Sequence, residues 1–105
     1  MDKKTINSII NFLKAELELK GIILNGVALF GSQMKGSATP DSDIDLILIS
    51  NSFKNKNLIE RSDLTMDAEI KTIRKFKIPL DILKMTSTEY QQGIDNKRYN
   101  AQLLQ

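Results

Sequence analysis

The stretch "SDIDLILIS", Ser42–Ser50, constrains this chain more than any other. Leu46-Ile47-Leu48-Ile49 is an almost unbroken aliphatic run, which predicts a buried strand over Ile44–Ser50. Asp43 and Asp45 sit directly against it, and burying charge there is costly without a partner. Something positive therefore belongs beside them. On a strand, residues two apart share a face, roughly 6.6–7 Å apart along the backbone. Ile44, between them, points the other way into the core. Carboxylates so spaced can share divalent cations, which in two-metal sites lie about 3.5–4 Å apart. Mg²⁺ favours such carboxylate and water ligands. Without a cation, mutual repulsion keeps one of the two protonated. Asp41, Ser42 and Asp43 also suit a turn and cap before a strand, and Asp41, beside Pro40, fits that role better than a metal.

Two other stretches bear on this one. Asp81 interrupts "PLDIL", a third strand opened by Pro79, where proline is tolerated at a strand start or an edge. If that strand neighbours the one holding Asp45, Asp81 completes a cation site and can accept a proton from an attacking hydroxyl; otherwise it is an exposed edge residue. "LFGSQMKG", Leu29–Gly36, ends a strand in Gly-Ser and opens a short helical turn. Free backbone N–H groups there favour phosphate, and Gly31 permits close approach. Ser32 can donate to a phosphate oxygen, Lys35 adds positive charge, and Gly36 turns the chain back. An ordinary strand–turn–helix junction needs the same residues. The G-x-x-x-x-G-K-[ST] phosphate loop is absent. A phosphate turn followed about ten residues later by a carboxylate pair points to a nucleoside triphosphate held by Mg²⁺.

The rest of the chain supplies a frame. Ile6, Ile9, Ile10, Leu13 and Leu17 recur at one helical face over Asp2–Lys20, with Gly21 placed as the stop. "IILNGVALF", Ile22–Phe30, reads as a strand entered through a kink at Asn25-Gly26. "NSFKNKN" reads as a polar excursion. Met66, Ile70 and Ile73 mark the core face of a second long helix, and Thr86 with Glu89 predicts a capping box for a last one. The tail from Asp95 shows no commitment to a structure; Lys97-Arg98 reads as solvated surface, Tyr90 and Tyr99 as packing or surface residues, and Leu103 and Leu104 as a frayed end or a docking point. Element order is helix, strand, loop, strand, helix, strand, helix. That predicts an α/β (α+β) layer, a small mixed sheet with helices packed on it, in one domain over residues 1–105.

Composition narrows the chemistry. Cysteine and histidine are both absent, so disulfides, thiolate metal sites and imidazole bases are excluded. The net charge of +2, from 15 basic against 13 acidic residues, does not mark a nucleic-acid binder. No stretch has the makeup of a secretory signal or the roughly 20 apolar residues of a membrane span, so a cytoplasmic location is expected.

Gly31, Ser32, Gly36, Ser42, Asp43, Asp45 and Asp81 together resemble the signature of the DNA polymerase beta-like nucleotidyltransferases, and within them the small minimal nucleotidyltransferase domains. The contiguous likeness runs from Leu29 to Ile49. The resemblance implies that Asp43 and Asp45 hold two Mg²⁺ ions, that Asp81 ligates one and helps deprotonate the acceptor hydroxyl, and that Gly31, Ser32, Lys35 and Ser42 bind the nucleotide. Many such domains read G-S-R-x-R-G where this chain has Gln33 and Lys35, and lysine keeps the charge without the bidentate fork. Similar small domains are often encoded beside a helical HEPN partner and act as antitoxins, some by adenylylating a tyrosine of the toxin. The resemblance thus implies transfer of AMP from ATP to a partner-protein hydroxyl. Two alternatives stay open: a non-catalytic binding module with a relic site, and transfer to a small-molecule hydroxyl, which needs a further domain or a homo-oligomer to form the cleft. Template nucleic acid is not expected.

Overall fold

The computed structural model describes residues 1–36, 39 and 42–105. Helix α1, Lys3–Leu19, begins where the Asp2 side chain accepts from Thr5 N–H (2.7 Å). It buries Ile6, Ile9, Ile10, Leu13 and Leu17, the stripe its spacing predicts. Gly21 follows at φ 79°, the left-handed turn that ends the helix. Strand β1 covers only Gly26–Phe30. The predicted strand began at Ile22, but Ile22 and Leu24 are buried without pairing along a neighbour, and the ladder opens at Gly26, opposite Ile49. Helix α2 is a single short turn, Gly31–Lys35, closed by Gly36 at φ 73°.

Strand β2, Ile44–Ile49, is the central element, antiparallel to β1 and parallel to β3, Leu80–Met85. Between them, Asn51–Phe53 forms a 3₁₀ turn and Leu58–Phe76 forms α3. The turn is not the polar excursion its sequence predicts, because Phe53 is fully buried. Helix α4, Ser87–Asp95, starts with the Thr86–Glu89 capping box. The tail, unassigned from sequence, adds β4, Gln102–Leu103, antiparallel to β1. The four strands lie in the order β3-β2-β1-β4.

Alternation divides the sheet into two faces. Val27, Leu29, Ile44, Leu46, Leu48 and Ile82 pack with α1 and the main core. Ala28, Ile47 and Ile49 face the other way, where Phe30, Met85, Tyr90, Tyr99 and Ala101 cover them. Asp45 and Asp81 share the parity of this second face. An edge-on contact of Phe12 with Phe76 (centroids 5.8 Å) joins α1 to α3. Among the described residues no helix is long and apolar enough to cross a membrane.

Helix α3 corrects one expectation. Its buried residues are Arg61, Thr65, Ala68 and Thr72, whereas Met66 and Ile70 are exposed (49% and 39%) and Ile73 is half-buried. Burial of the threonines is tolerable because each hydroxyl donates within the helix: Thr72 to the Ala68 carbonyl (2.7 Å) and Thr65 to the Glu69 carboxylate (2.5 Å), with the Arg61 carbonyl at 3.2 Å. Arg61, only 7% exposed, donates through Nε to the Lys56 carbonyl and through Nη1 to the Lys84 carbonyl (2.9 and 3.0 Å). It also forks onto Glu89 (2.6 and 3.1 Å) and lies over the Phe53 ring. One side chain thus ties α3, β3, the 3₁₀ turn and the α4 cap together.

Candidate active site

Parallel pairing of β2 with β3 places Asp45 directly opposite Asp81. Both side chains rise from the sheet face that α1 does not cover, Asp81 exposed and Asp45 half-buried. Burial chiefly, then repulsion from Asp81 and Asp43 and a hydrogen bond with Asp81, push the Asp45 carboxyl above its ordinary range. Two carboxyls that meet in this way repel each other unless a cation or a proton lies between them.

Asp43 lies just ahead of β2, exposed, and contributes to the field at Asp45. Among the described residues no three Asp or Glu side chains stand ready to enclose a metal ion. The structure brings Asp45 and Asp81 together and leaves Asp43 at the rim. The donor set nevertheless fits a hard divalent cation: it is all carboxylate oxygen, reachable by solvent, and among the described residues no lysine or arginine forms an ion pair with it. Asp45 and Asp81 would be the inner ligands, and Asp43 would close on the ion from the rim.

Gly31 stands against this pair. Phe30 is the cross-strand partner of Asp45, and Gly31 follows at φ 69°. A Cβ at Gly31 would lie 2.9 Å from Asp45 Cγ and 3.2 Å from its Cβ, so the position excludes any side chain twice over, by conformation and by space. The close approach expected here for a ligand is made by the carboxylate itself. Ser32 is half-buried and its carbonyl accepts from Gly36 N–H, while Lys35 is exposed. Ser42 Oγ accepts from Thr39 N–H (2.8 Å), which braces the chain entering Asp43. Asp41 lies outside the described residues.

The profile of the nucleotidyltransferase domain family matches residues 6–101, a span that contains every one of these side chains. The chain belongs to the nucleotidyltransferase domain family. Its architecture agrees: a Sulfolobus solfataricus protein assigned to the nucleotidyltransferases superposes with a TM-score of 0.56 at 23% identity, over 98% of this chain and 87% of that one. The BolA domain of SufE1 from Arabidopsis thaliana also superposes, with a TM-score of 0.52 at 19% identity over 85% and 98% of the two chains. At such identities the likeness is one of fold, and the same outline serves a BolA domain, so chemistry has to be read from side chains. A comparison with curated protein sequences finds no match. Nucleotidyltransferases work with a nucleoside triphosphate and a divalent metal, and this domain is a transferase of that class.

Sequence reasoning missed two features around the site. Arg61 lay unremarked in a charged helix start, and nothing local marks a buried arginine. The Lys97-Arg98 turn is exposed, as its sequence reads, but its position beside Gly31 in the wall of a cavity was not legible.

Proposed function

We propose that this chain transfers AMP from ATP to a hydroxyl of a helical, HEPN-like partner protein, as the antitoxin of a minimal-nucleotidyltransferase pair. The observation that carries the chemistry is the in-register pairing of Asp45 with Asp81 next to Gly31. In this reading Asp43, Asp45 and Asp81 would hold Mg²⁺, which when bound neutralises charge on the phosphoryl oxygens. Asp81, the more exposed of the pair, accepts the proton of the attacking hydroxyl. The hydroxyl oxygen bonds to the α-phosphorus in line, the bond to the β-phosphate oxygen breaks, and pyrophosphate leaves. Ser32 and Lys35 orient the phosphates, and Ser42 holds the approach to Asp43 in place.

A protein acceptor is supported by exposed apolar side chains on the two elements nearest the sheet edge. Leu58, Ile59, Met66 and Ile70 on α3 and Leu83 on β3 are all exposed, and exposed apolar side chains of this kind suit a protein contact. The reading places the chain in the cytoplasm, where ATP and Mg²⁺ are available.

The test is incubation of the purified chain with Mg²⁺, ATP labelled at the α-phosphate, and the protein encoded by the adjacent gene. Label should pass to that protein, and Asp45→Asn should abolish the transfer. If no label moves, and the Asp45→Asn variant still neutralises the partner in cells, the protein acts by binding alone.

A further inference from the structure

Beyond α4 the chain does something its sequence gives no reason to expect. Lys97 takes a left-handed conformation (φ 55°), and two backbone bonds close the turn: Lys97 N–H to the Ile94 carbonyl (3.1 Å) and Arg98 N–H to that of Gly93 (2.9 Å). Tyr99 then folds onto Gly93, where any Cβ would collide with its ring, and donates its hydroxyl to the Tyr90 carbonyl (2.8 Å). The turn is pinned on both sides. It delivers two cations to the end of β1, which is more than sixty residues away in sequence.

There Phe30, Gly31, Lys35, Lys97, Arg98 and Asn100 line a cavity of about 350 Å³. That lies at the small end of the roughly 300–1,000 Å³ of ligand sites, room for a compact polar group. Among the described residues its lining has no carboxylate, and none of Lys35, Lys97 and Arg98 forms an ion pair. Gly31 is shared: the Asp45 carboxylate packs against it, and the cationic cavity has it in its wall. One strand end therefore separates a carboxylate pair from three positive side chains. A ligand that spans it must be strongly anionic at one end and, in the proposed reading, meet a cation held by the carboxylate pair at the other.

We propose that Lys97 and Arg98, carried in by the tail, extend the phosphate site of Lys35 to the β- and γ-phosphates of the nucleoside triphosphate and select a triphosphate over a monophosphate. This deepens the nucleotidyl-transfer reading and rests on it. The arrangement has a chemical use. As the bond between the α-phosphorus and the bridging oxygen breaks, negative charge accumulates on the departing pyrophosphate, where fixed cations stabilise it best. Arg98 can engage two phosphate oxygens through its planar fork, and lysine acts as a point charge.

The experiment separates the subsite from the transfer reaction. Binding of inorganic tripolyphosphate without metal is measured by calorimetry for the wild type, for Lys97→Gln/Arg98→Gln and for Asp43→Asn/Asp45→Asn. The wild type should bind; loss of two charged contacts should weaken binding by about 10- to 100-fold or more; the carboxylate variant should bind at least as well as the wild type. AMP should bind equally to the wild type and Lys97→Gln/Arg98→Gln, and the melting temperatures of those two should agree, since both side chains are exposed. Tripolyphosphate binding unchanged in Lys97→Gln/Arg98→Gln overturns the subsite, as does tighter binding of a short single-stranded oligonucleotide than of tripolyphosphate. If AMP transfer proves absent while tripolyphosphate still depends on Lys97 and Arg98, the subsite stands and the transfer reading falls. If transfer occurs with the same KM for ATP in wild type and Lys97→Gln/Arg98→Gln, the subsite falls and the transfer reading stands.

Discussion

Replacing Gly31 by alanine probes fold and site in one step. At φ 69° an L-residue pays a left-handed penalty of about 1–2 kcal/mol. The added Cβ would also stand 2.9 Å from Asp45 Cγ, so the carboxylate must leave its rotamer, at a further cost of roughly 0.5–1.5 kcal/mol. The expected loss is about 1.5–3.5 kcal/mol, or a fall in Tm of roughly 6–28 °C for a domain of this size. Asp45 would move by about an ångström from Asp81, enough to reduce nucleotidyl transfer on the order of 100-fold. Thermal melts and α-label transfer measure the two effects. The informative control is Asp45→Ala, which removes the colliding Cγ. In that background Gly31→Ala should cost little beyond the conformational part, about 1–2 kcal/mol, since only the 3.2 Å contact with the Cβ at position 45 remains, so the two substitutions are not additive. Equal cost in both backgrounds would refute the packing of Asp45 on Gly31, and a Gly31→Ala protein that melts and reacts like wild type would refute the whole argument.

Other predictions follow from the same geometry. Arg61→Met should destabilise the fold by about 2–4 kcal/mol in chemical denaturation, chiefly because it leaves the Lys56 and Lys84 carbonyls without their donor, while Arg61→Lys recovers only part. Glu89 is held below its ordinary value of 4.5, chiefly by hydrogen bonding to Arg61. Its contribution should therefore be complete above that value and be lost as pH falls through the lower folded pKa, a dependence that Glu89→Gln removes. Asp45 has the opposite sign: with its carboxyl raised above 3.8, the metal-free fold should lose stability as pH climbs from there through the folded pKa, and Asp45→Asn should flatten that slope. Met66→Lys and Ile70→Lys replace exposed residues, so each should change stability by less than about 0.5 kcal/mol and still reduce label transfer to the partner protein.

Where local patterns decide structure, the sequence was sufficient. The α1 stripe, the Thr86–Glu89 cap, the aliphatic β2 and the Gly31-Ser32 bend each depend on neighbours within a few residues, and each forms where its residues say. Helix α3 shows the limit. Its most apolar stripe, Met66 and Ile70, faces solvent, because hydroxyls that find acceptors within the helix let Thr65 and Thr72 occupy the interior. Phe53 was hidden for another reason: its burial in the main core, with Arg61 over its ring, depends on elements distant in sequence.

By itself, then, the chain's sequence determined which residues could do chemistry: with no histidine or cysteine, acidic side chains beside a buried strand were the candidates left. Only the tertiary structure decided which of them meet. Asp81 stands opposite Asp45 because β3 runs parallel to β2 after an intervening helix, a direction no local pattern encodes. Lys97 and Arg98 reach Gly31 because Tyr99 locks the tail back onto α4. Spacing along a strand is set by covalent geometry and can be read from the sequence, whereas contact between distant segments is set by packing of the whole sheet.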